Sequence, residues 1–515
     1  MTAVRGTQLL LPEGLAAAAA ADALAAELAV VTTAAHTLQR TFWDTFDGRL
    51  HAAGIALVAT AGRLVVVDQA KLVEEVGANA PKGAVRLLAA DLPAGPLRER
   101  LAPIIEMRAL TPIARVRSRL LPINVLDDVG KIVVRLRVEE PTGADASGAV
   151  KLALRPRLHA VGVRGYDGDY ERTLELLTGR LGLQHAPQAV QDEAVAAAGG
   201  TVGGTSSKLR VTLDAAERAD AAAAKVLRRL LDVVKANLAG TLADIDSEFL
   251  HDLRVAVRRS RALQRELSGV FPPEPLRVFR DGFKELQAVT GPTRDLDVQL
   301  LEFEELTAGL PGEDDVAPLR RLLEQHLAAA RAEMAAALRS PGTRALLDNW
   351  SEFLDGLVEA DESDRPDAAR PIGEVAGERI WKVYRRMVKM GRAIDEDSPA
   401  EALHELRKKG KELRYLLEFF ASLYPAEVVK PMVATLKRLQ DVLGRFQDRE
   451  VQADLLRALG HEVAALDGGA PALMAMGLLV QRLGDEQAQA RAEFAERFAE
   501  FAASEQRALV RTTFA

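Results

Sequence analysis

The chain repeats itself. The stretch "HDLRVAVRRSRALQRE" from His251 is echoed 153 residues later by "HELRKKGKELRYLLEF" from His404. The same offset pairs Lys284 with Lys437, Leu286-Gln287 with Leu439-Gln440, Gly291 with Gly444 and Asp295 with Asp448. A register held without a gap at both ends of the unit is hard to reach by chance, and it predicts two homologous structural units. Packed with approximate two-fold symmetry, such units bring their equivalent faces together.

Each copy has helical periodicity. His251, Arg254, Arg258, Arg261 and Arg265 follow 3-4-3-4 spacing and fall within roughly 80° of arc. Leu253, Leu263 and Leu267 lie on the far side. In the second copy His404, Arg407, Lys411 and Arg414 hold the same stripe, and Glu418 replaces the last arginine. Leu406, Leu413, Leu417 and Phe420 supply its apolar face, and Lys408 broadens the basic edge. Like charges four residues apart repel by a few tenths of a kcal/mol per pair. A single basic helix face is ordinarily a solvated surface. A stripe kept in both copies, inside a chain of formal net charge −7, predicts an anionic partner.

Bringing the two stripes together creates a cleft, which Lys284, Lys437 and Arg438, from a second helix of each unit, could also line. Arginine gives phosphate bidentate hydrogen bonds, and lysine supplies a mobile point charge. His251 and His404 could donate hydrogen bonds to such a ligand, or could satisfy backbone groups near a helix start. A metal site is disfavoured, because the basic residues around them would repel a cation. Asp295 and Asp448 read as helix caps or as partners of the arginines. Gly291 and Gly444 suit the turn that precedes them.

The remaining sequence sets the frame. Its 515 residues suffice for two or three domains. The absence of cysteine excludes disulfides and thiolate metal sites. Heavy use of alanine with only 4% aromatics favours helix. "LAAAAAADALAAELAVV" (15–31) is interrupted by Asp22 and Glu27. It reads as an amphipathic helix and not as a signal peptide. No apolar run of about 18 residues predicts a membrane span, and a cytoplasmic location is expected.

Residues 1–185 alternate like strands. In "KIVVRLRVEE" (131–140), Ile132, Val134, Leu136 and Val138 share one face, with Lys131, Arg135, Arg137 and Glu139 on the other. "ARVRSRL" (114–120) sets out Arg115, Arg117 and Arg119 in the same way. "KLALRPR" (151–157) places Lys151, Arg155 and Arg157 opposite Leu152 and Leu154. With turn residues such as "PTGADASG" (141–148), this predicts an antiparallel sheet. Residues 186–207 are rich in Gly, Ala and Ser and read as a flexible linker. From 208 to 515 the pattern is helical. Repeat 1 spans about 208–345 and repeat 2 about 370–515, with Pro/Gly/Asp clusters at 270–275, 309–315, 362–371 and 466–471 marking turns.

The region 208–515 resembles the CHAD family, the conserved-histidine α-helical domain. The residues that carry the resemblance are "HDLRVAVRRSRAL" with "KELQAVTGPTRDLDVQLL", and "HELRKKGKELRYL" with "KRLQDVLGRFQDREVQADLL". It implies two four-helix bundles around a basic cleft that binds inorganic polyphosphate, in a protein associated with polyphosphate granules. Residues 1–185 resemble a CYTH, or triphosphate-tunnel, domain through "RTFWDTFDGRLHAAGIAL" (40–57), and "SSKLRVTL" (206–213) resembles the segment joining the two domains. That family begins with Glu-x-Glu-x-Lys, whose carboxylates hold a divalent metal. Aligning its Leu-Leu-Pro with residues 10–12 puts Val4, Gly6 and Gln8 there instead, and the arginine expected after Leu57 is absent. Without those carboxylates nothing holds a metal against phosphate, which implies a degenerate tunnel without catalytic residues.

The expected architecture is therefore α+β. An antiparallel β tunnel or barrel-like domain precedes an all-α domain of two pseudo-symmetric four-helix bundles. The expected function is non-enzymatic polyphosphate binding, with no cofactor. Arg115, Arg117, Arg119, Lys131, Arg135 and Arg137 form a secondary phosphate surface or else a plain solvated strand face. A polyphosphate-metabolising enzyme is a further expected partner, and no membrane association is expected. The alternatives are a metal-dependent triphosphatase or cyclase-like enzyme in the N-terminal domain, and nucleic-acid binding, which the few interleaved aromatics disfavour.

Overall fold

A computed structural model describes residues 5–144 and 151–515. The chain divides into two compact units, 1–207 and 208–515.

The first unit is an antiparallel sheet with helices on its faces. Its strands are β1 (Gly6–Leu10), β2 (Val30–Thr32), β3 (His36–Thr45), β4 (Ile55–Thr60), β5 (Arg63–Asp68), β6 (Val73–Asn79), β7 (Leu110–Leu126), β8 (Ile132–Ala144), β9 (Lys151–Ala153), β10 (Arg157–Gly162) and β11 (Gln184–His185). They pair in the order β11-β1-β10-β8-β7-β3-β4-β5-β6, with β2 added to β7 and β9 to β8. The turn expected at 141–148 begins later than its sequence suggests, because β8 stays paired with β7 as far as Ala144. Residues 145–148, and Val4, lie outside the described residues.

Helices α1 (Ala17–Ala25), α2 (Arg49–Ala52), α3 (Pro96–Ile105), α4 (Asp167–Glu175) and α5 (Val190–Ala197) cover the sheet. The helix expected over 15–31 stops at Ala25, and Val30–Thr32 pair with β7 instead. Helix α1 buries Ala17, Ala20, Ala21 and Leu24 against Ile123, Val134, Leu136 and Val138.

The stretch 186–207 is not a free linker. Within it, α5 buries Val190, Ala194 and Val195 against Phe42, Val58, Ala114 and Val116. Beyond α5, the Thr205 N–H donates to Phe46 O at 2.8 Å. Its glycines serve close packing: a Cβ on Gly204 (φ +78°) would lie 2.4 Å from Gly48 N, and one on Gly48 (φ +70°) would lie 2.0 Å from Gly203 O. Composition alone cannot separate glycine used for flexibility from glycine used for backbone contact.

The second unit is helical throughout. Its helices are α6 (Ala219–Leu242), α7 (Ser247–Glu266), α8 (Pro273–Val289), α9 (Gly291–Thr307), α10 (Ala317–Arg339), α11 (Pro341–Asp355), α12 (Ile372–Gly391), α13 (Ala400–Phe419), α14 (Ala426–Ala464), α15 (Gly469–Phe501) and α16 (Ser504–Phe514). The 153-residue offset reappears in the element boundaries. Helix α12 starts 153 residues after α6, and α14 after α8, while α13 matches α7 at both ends. The short 3-10 turns Ser268–Val270 and Ala421–Leu423 obey the same shift.

The repeats diverge at Gly291 and Gly444. In the first copy the helix ends at Val289 and a new one starts at Gly291-Pro292. Proline lacks the N–H that would continue the ladder, and its ring crowds the preceding turn. Arg445 stands at that place in the second copy, and α14 runs unbroken for 39 residues. Gly444 is therefore a mid-helix residue and not part of a turn.

One continuous hydrophobic core runs through both repeats, from Leu227 and Val257 to Tyr384, Leu413 and Phe501. A second cluster joins α9 and α10 to the distal halves of α14 and α15, through Phe303, Leu319, Leu456 and Leu479. No helix among the described residues is long and apolar enough to cross a membrane.

Gly204→Ala is expected to destabilise the first unit by about 1–3 kcal/mol through overpacking. Gly14 also has positive φ, but a Cβ there meets nothing within 4 Å, so Gly14→Ala should cost less. Urea unfolding of both variants checks the difference.

Candidate functional site

Helices α7 and α13 pack against each other, and their ion pairs expose the symmetry. Arg265 of α7 pairs with Glu412 of α13 at 2.6 Å. Arg259 of α7 pairs with Glu418 of α13. The offset makes 259 equivalent to 412 and 265 equivalent to 418, so exchanging the repeats maps one pair onto the other. This is the self-complementary contact of a two-fold interface. Glu418, which interrupts the basic stripe in the sequence, is thereby explained. Arg259 also lies over the Tyr415 ring, 5.7 Å from its centroid.

Several stripe residues are tied down by the helix behind them. Arg261 donates to Gln287 Oε1, and its counterpart Arg414 reaches Gln440 Oε1 at 3.4 Å, so the repeated Leu-Gln serves one purpose in both copies. Arg414 also pairs with Glu418 at 2.7 Å. Arg254 is buried and donates from Nη1 to Gln287 O and Thr290 Oγ1, both at 2.9 Å. It thus clamps α7 to the break between α8 and α9. Burial, followed by the nearby Arg258 charge, pushes its guanidinium down to about 10, still cationic at neutral pH.

His404 Nδ1 contacts Gln447 Oε1. The Gln447 amide is oriented because its Nε2 donates to Glu450 at 3.2 Å, and a carboxylate can only accept. The proton therefore sits on Nδ1. His251, at the equivalent place, is half-buried on α7.

The centre of the stripe is different. Arg258 and Lys411 are symmetry equivalents, and among the described residues neither makes an ion pair or a side-chain hydrogen bond. Arg258 Nε is buried without a partner. Burial first, then the charges of Arg407, Arg258 and Arg414, lower Lys411 to about 8, against the pull of Asp448. A fall from 10.5 to about 8 corresponds to a cost on the order of 3 kcal/mol for keeping that ammonium charged at neutral pH. Lys284 and Lys437, also symmetry equivalents, are exposed and without ion pairs.

Two carboxylates border this centre. Arg407 pairs with Asp448 at 3.0 Å. Asp295 is raised by burial and by the Asp448 charge, against Arg254 and Arg258. Burial likewise raises Asp448. Neither is a helix cap, since Asp295 lies inside α9 and Asp448 inside α14. They are partners of the basic residues.

Other expected site residues point elsewhere. Lys408 pairs with Glu405 at 2.6 Å on the outer surface of its own helix. Arg438 turns to Glu500 of α15 at 3.3 Å, on a different side of α14 from Lys437. Arg265 is half-exposed and engaged by Glu412 and Glu266.

In the sheet unit, strand register separates the arginines grouped by sequence. Arg119 faces Glu140 and bonds it at 3.1 Å, on the same face as Arg115 and Arg117. Arg135 and Arg137 pair with Asn124 and Pro122 on the opposite face. Lys131 precedes β8 and is exposed. The opposite face holds a polar cluster that alternation alone does not reveal. Arg40 pairs with Glu139 and donates to Ser118 at 2.8 Å. His159 Nε2 lies 2.5 Å from Glu139 Oε2, and Arg157 engages Glu193 of α5 and Gln8 at 3.1 Å. Burial would raise Glu139, but His159, Arg40 and Ser118 hold it well below the usual range. Burial, reinforced by Arg137 and Arg40, keeps His159 down at about 4 and neutral. Gln8, which stands where the lysine of the Glu-x-Glu-x-Lys motif was expected, thus serves as a neutral acceptor for Arg157. No group of three or more His, Asp or Glu among the described residues is arranged to hold a metal.

Removing one partner from the two-fold ion pairs should separate them energetically. Arg259 and Glu418 are mostly buried, so Glu418→Gln is expected to cost about 1–3 kcal/mol. The double variant Arg259→Met/Glu418→Leu should be closer to wild type. Arg265→Gln, at the half-exposed pair, should cost less than about 1 kcal/mol. Denaturant midpoints check all three.

Comparison with known proteins follows the same division of the chain. A family model described as CHAD domain matches residues 225–457. Two solved structures are similar. The CHAD domain from the plant Ricinus communis is 23% identical, with 59% of this chain and 96% of that chain covered and a TM-score of 0.46. PptA from Streptomyces chartreusis is 18% identical, with 55% and 99% covered and a TM-score of 0.40. No curated protein sequence matches the chain. Residues 225–457 of this chain, which span both basic stripes, are a CHAD domain.

Proposed function

We propose that the helical unit binds inorganic polyphosphate where the two repeats meet. One observation carries the reading: Arg258 and Lys411, equivalent by symmetry, stand near each other, and among the described residues neither forms an ion pair, although Asp295 and Asp448 border them. Holding two like charges in a partly buried site is unfavourable unless a ligand supplies the opposite charge. Polyphosphate offers one negative charge per phosphate and repeated acceptor oxygens. Lys284 and Lys437 extend the unpaired charge along the second helix of each repeat. Arg254, Arg261, Arg407, Arg414 and His404 flank the centre, held by partners of their own. The resemblance to CHAD proteins, which are linked to polyphosphate, supports the same choice. A cytoplasmic location at polyphosphate granules, with the enzymes that make or break the polymer as neighbours, belongs to this reading.

Arg258→Glu/Lys411→Glu is expected to weaken long-chain polyphosphate binding at least about tenfold, a difference of about 1.4 kcal/mol, while circular dichroism stays unchanged. Undiminished binding, or stronger binding to single-stranded DNA than to polyphosphate in direct competition, overturns the proposal.

The lowered Lys411 gives a second test. A bound polyanion favours the protonated lysine, so binding takes up a proton. Affinity is therefore full below about pH 8 and falls as pH rises through that value. The groups facing Lys411 are Arg407, Arg414, Arg258 and Asp448. Titration calorimetry between pH 7 and 9 should show the fall in wild type and a flatter profile in Lys411→Arg, whose guanidinium does not titrate there.

A further inference from the structure

The second repeat carries another concentration of charge, away from the stripe. From Arg379 to Ile394 the sequence contains no carboxylate. On α12 and just past its end, Lys382, Arg385, Arg386, Lys389 and Arg392 are all exposed and fall within roughly 120° of arc. Arg507 and Arg511, one turn apart on α16, face the same depression. None of these cations forms an ion pair among the described residues. The depression has two adjoining lobes of about 930 and 1120 Å³, which share Trp381, Arg385, Arg392 and Arg507. No residue of the α7–α13 stripe lines either lobe.

The first repeat lacks this run of charge. There α6 stands in place of α12, and the positions equivalent to the five cations are Arg229, Asp232, Val233, Ala236 and Ala239; three of the four basic residues of α6 are paired with acids. Lys225 pairs with Glu217, Arg228 with Asp355, and Lys235 with Asp348 at 3.5 Å. Asp348 and Asp355 belong to α11, the helix that follows α10. In the second repeat the helix after α15 is α16, and it presents Arg507 and Arg511 instead. The helix packed beside α6 thus offers it acids, while the helix packed beside α12 offers arginines, and the basic run of α12 is particular to the second repeat. Both Arg507 and Arg392 lie close enough to the Tyr384 hydroxyl to act on it, so the two helices direct their charges to one place.

We propose that this face of α12 and α16 is a second polyanion-binding surface, which takes its own stretch of inorganic polyphosphate. The choice of polyphosphate rests on the function proposed above; the surface itself does not. A nucleic-acid strand is less suited to it. Trp381 is already stacked on Tyr384, with centroids 6.1 Å apart, and lies 5.7 Å from the Arg385 guanidinium. Tyr384 itself is buried, so no free aromatic plane remains for bases. Two separate surfaces on one chain let a single molecule bridge two polyphosphate chains, or two distant parts of one.

The test uses the full chain and long-chain polyphosphate at several salt concentrations. Four proteins are compared: wild type, Arg386→Gln/Lys389→Gln/Arg511→Gln, Arg258→Glu/Lys411→Glu, and the combination. The three neutralised residues are exposed, and unchanged melting confirms folding. The neutralised variant is expected to lower the slope of log affinity against log salt by about 2, at roughly 0.7 per lost contact. The Arg258/Lys411 variant should keep weak binding that the combination loses. If the neutralised variant matches wild type in affinity and slope while the Arg258/Lys411 variant loses all binding, the second surface is overturned and the first stands. If neither changes, both fail. Loss of single-stranded DNA binding with polyphosphate binding intact also overturns the inference.

Discussion

The helical unit depends on the contact between α7 and α13. Duplicating a basic helix and packing the copies about a two-fold axis must set like charges side by side. Glutamates at 412 and 418 resolve the conflict at the flanks, where they meet Arg265 and Arg259. At the centre the conflict persists, because residues 258 and 411 are both cations. Stability and the proposed binding site therefore come from the same interface. The flanking pairs hold the helices together, and the proposed site is the centre between them, where Arg258 and Lys411 form no ion pair among the described residues.

The repeats have diverged where divergence changes charge or continuity. Pro292 breaks a helix that Arg445 lets continue. The unbroken α14 reaches past the site to join α9, α10 and α15 in the distal core. Charge has diverged on the far side, where acids facing α6 are replaced by arginines facing α12. A common backbone thus supports two electrostatic environments, since exposed helix positions accept either sign at little structural cost.

The sheet unit shows the opposite resolution. Arginines lie on both of its faces, and Arg40 and Arg157 on the polar face are answered by Glu139 and Glu193 from within the chain. Helix α5 delivers Glu193 and packs over Val116 and Phe42. Arg137 on the polar face forms no ion pair among the described residues and has a buried Nε without a partner, so the matching is only partial.

The 153-residue offset by itself determined the duplication and the identity of the basic stripe, because helical periodicity and register are local properties of the chain. The alternation of β7 and β8 likewise showed strands and charged positions. Only the tertiary structure decided which charges are left without partners. Lys408 and Arg438 belong to the same sequence pattern as Lys411 and Lys437, yet they find Glu405 and Glu500. Strand register placed Arg119 and Arg137 on opposite faces, and close backbone packing turned the glycines at 203 and 204 from apparent linker into part of the fold. Ion pairing and sheet register join residues far apart in the chain, so no local pattern encodes them.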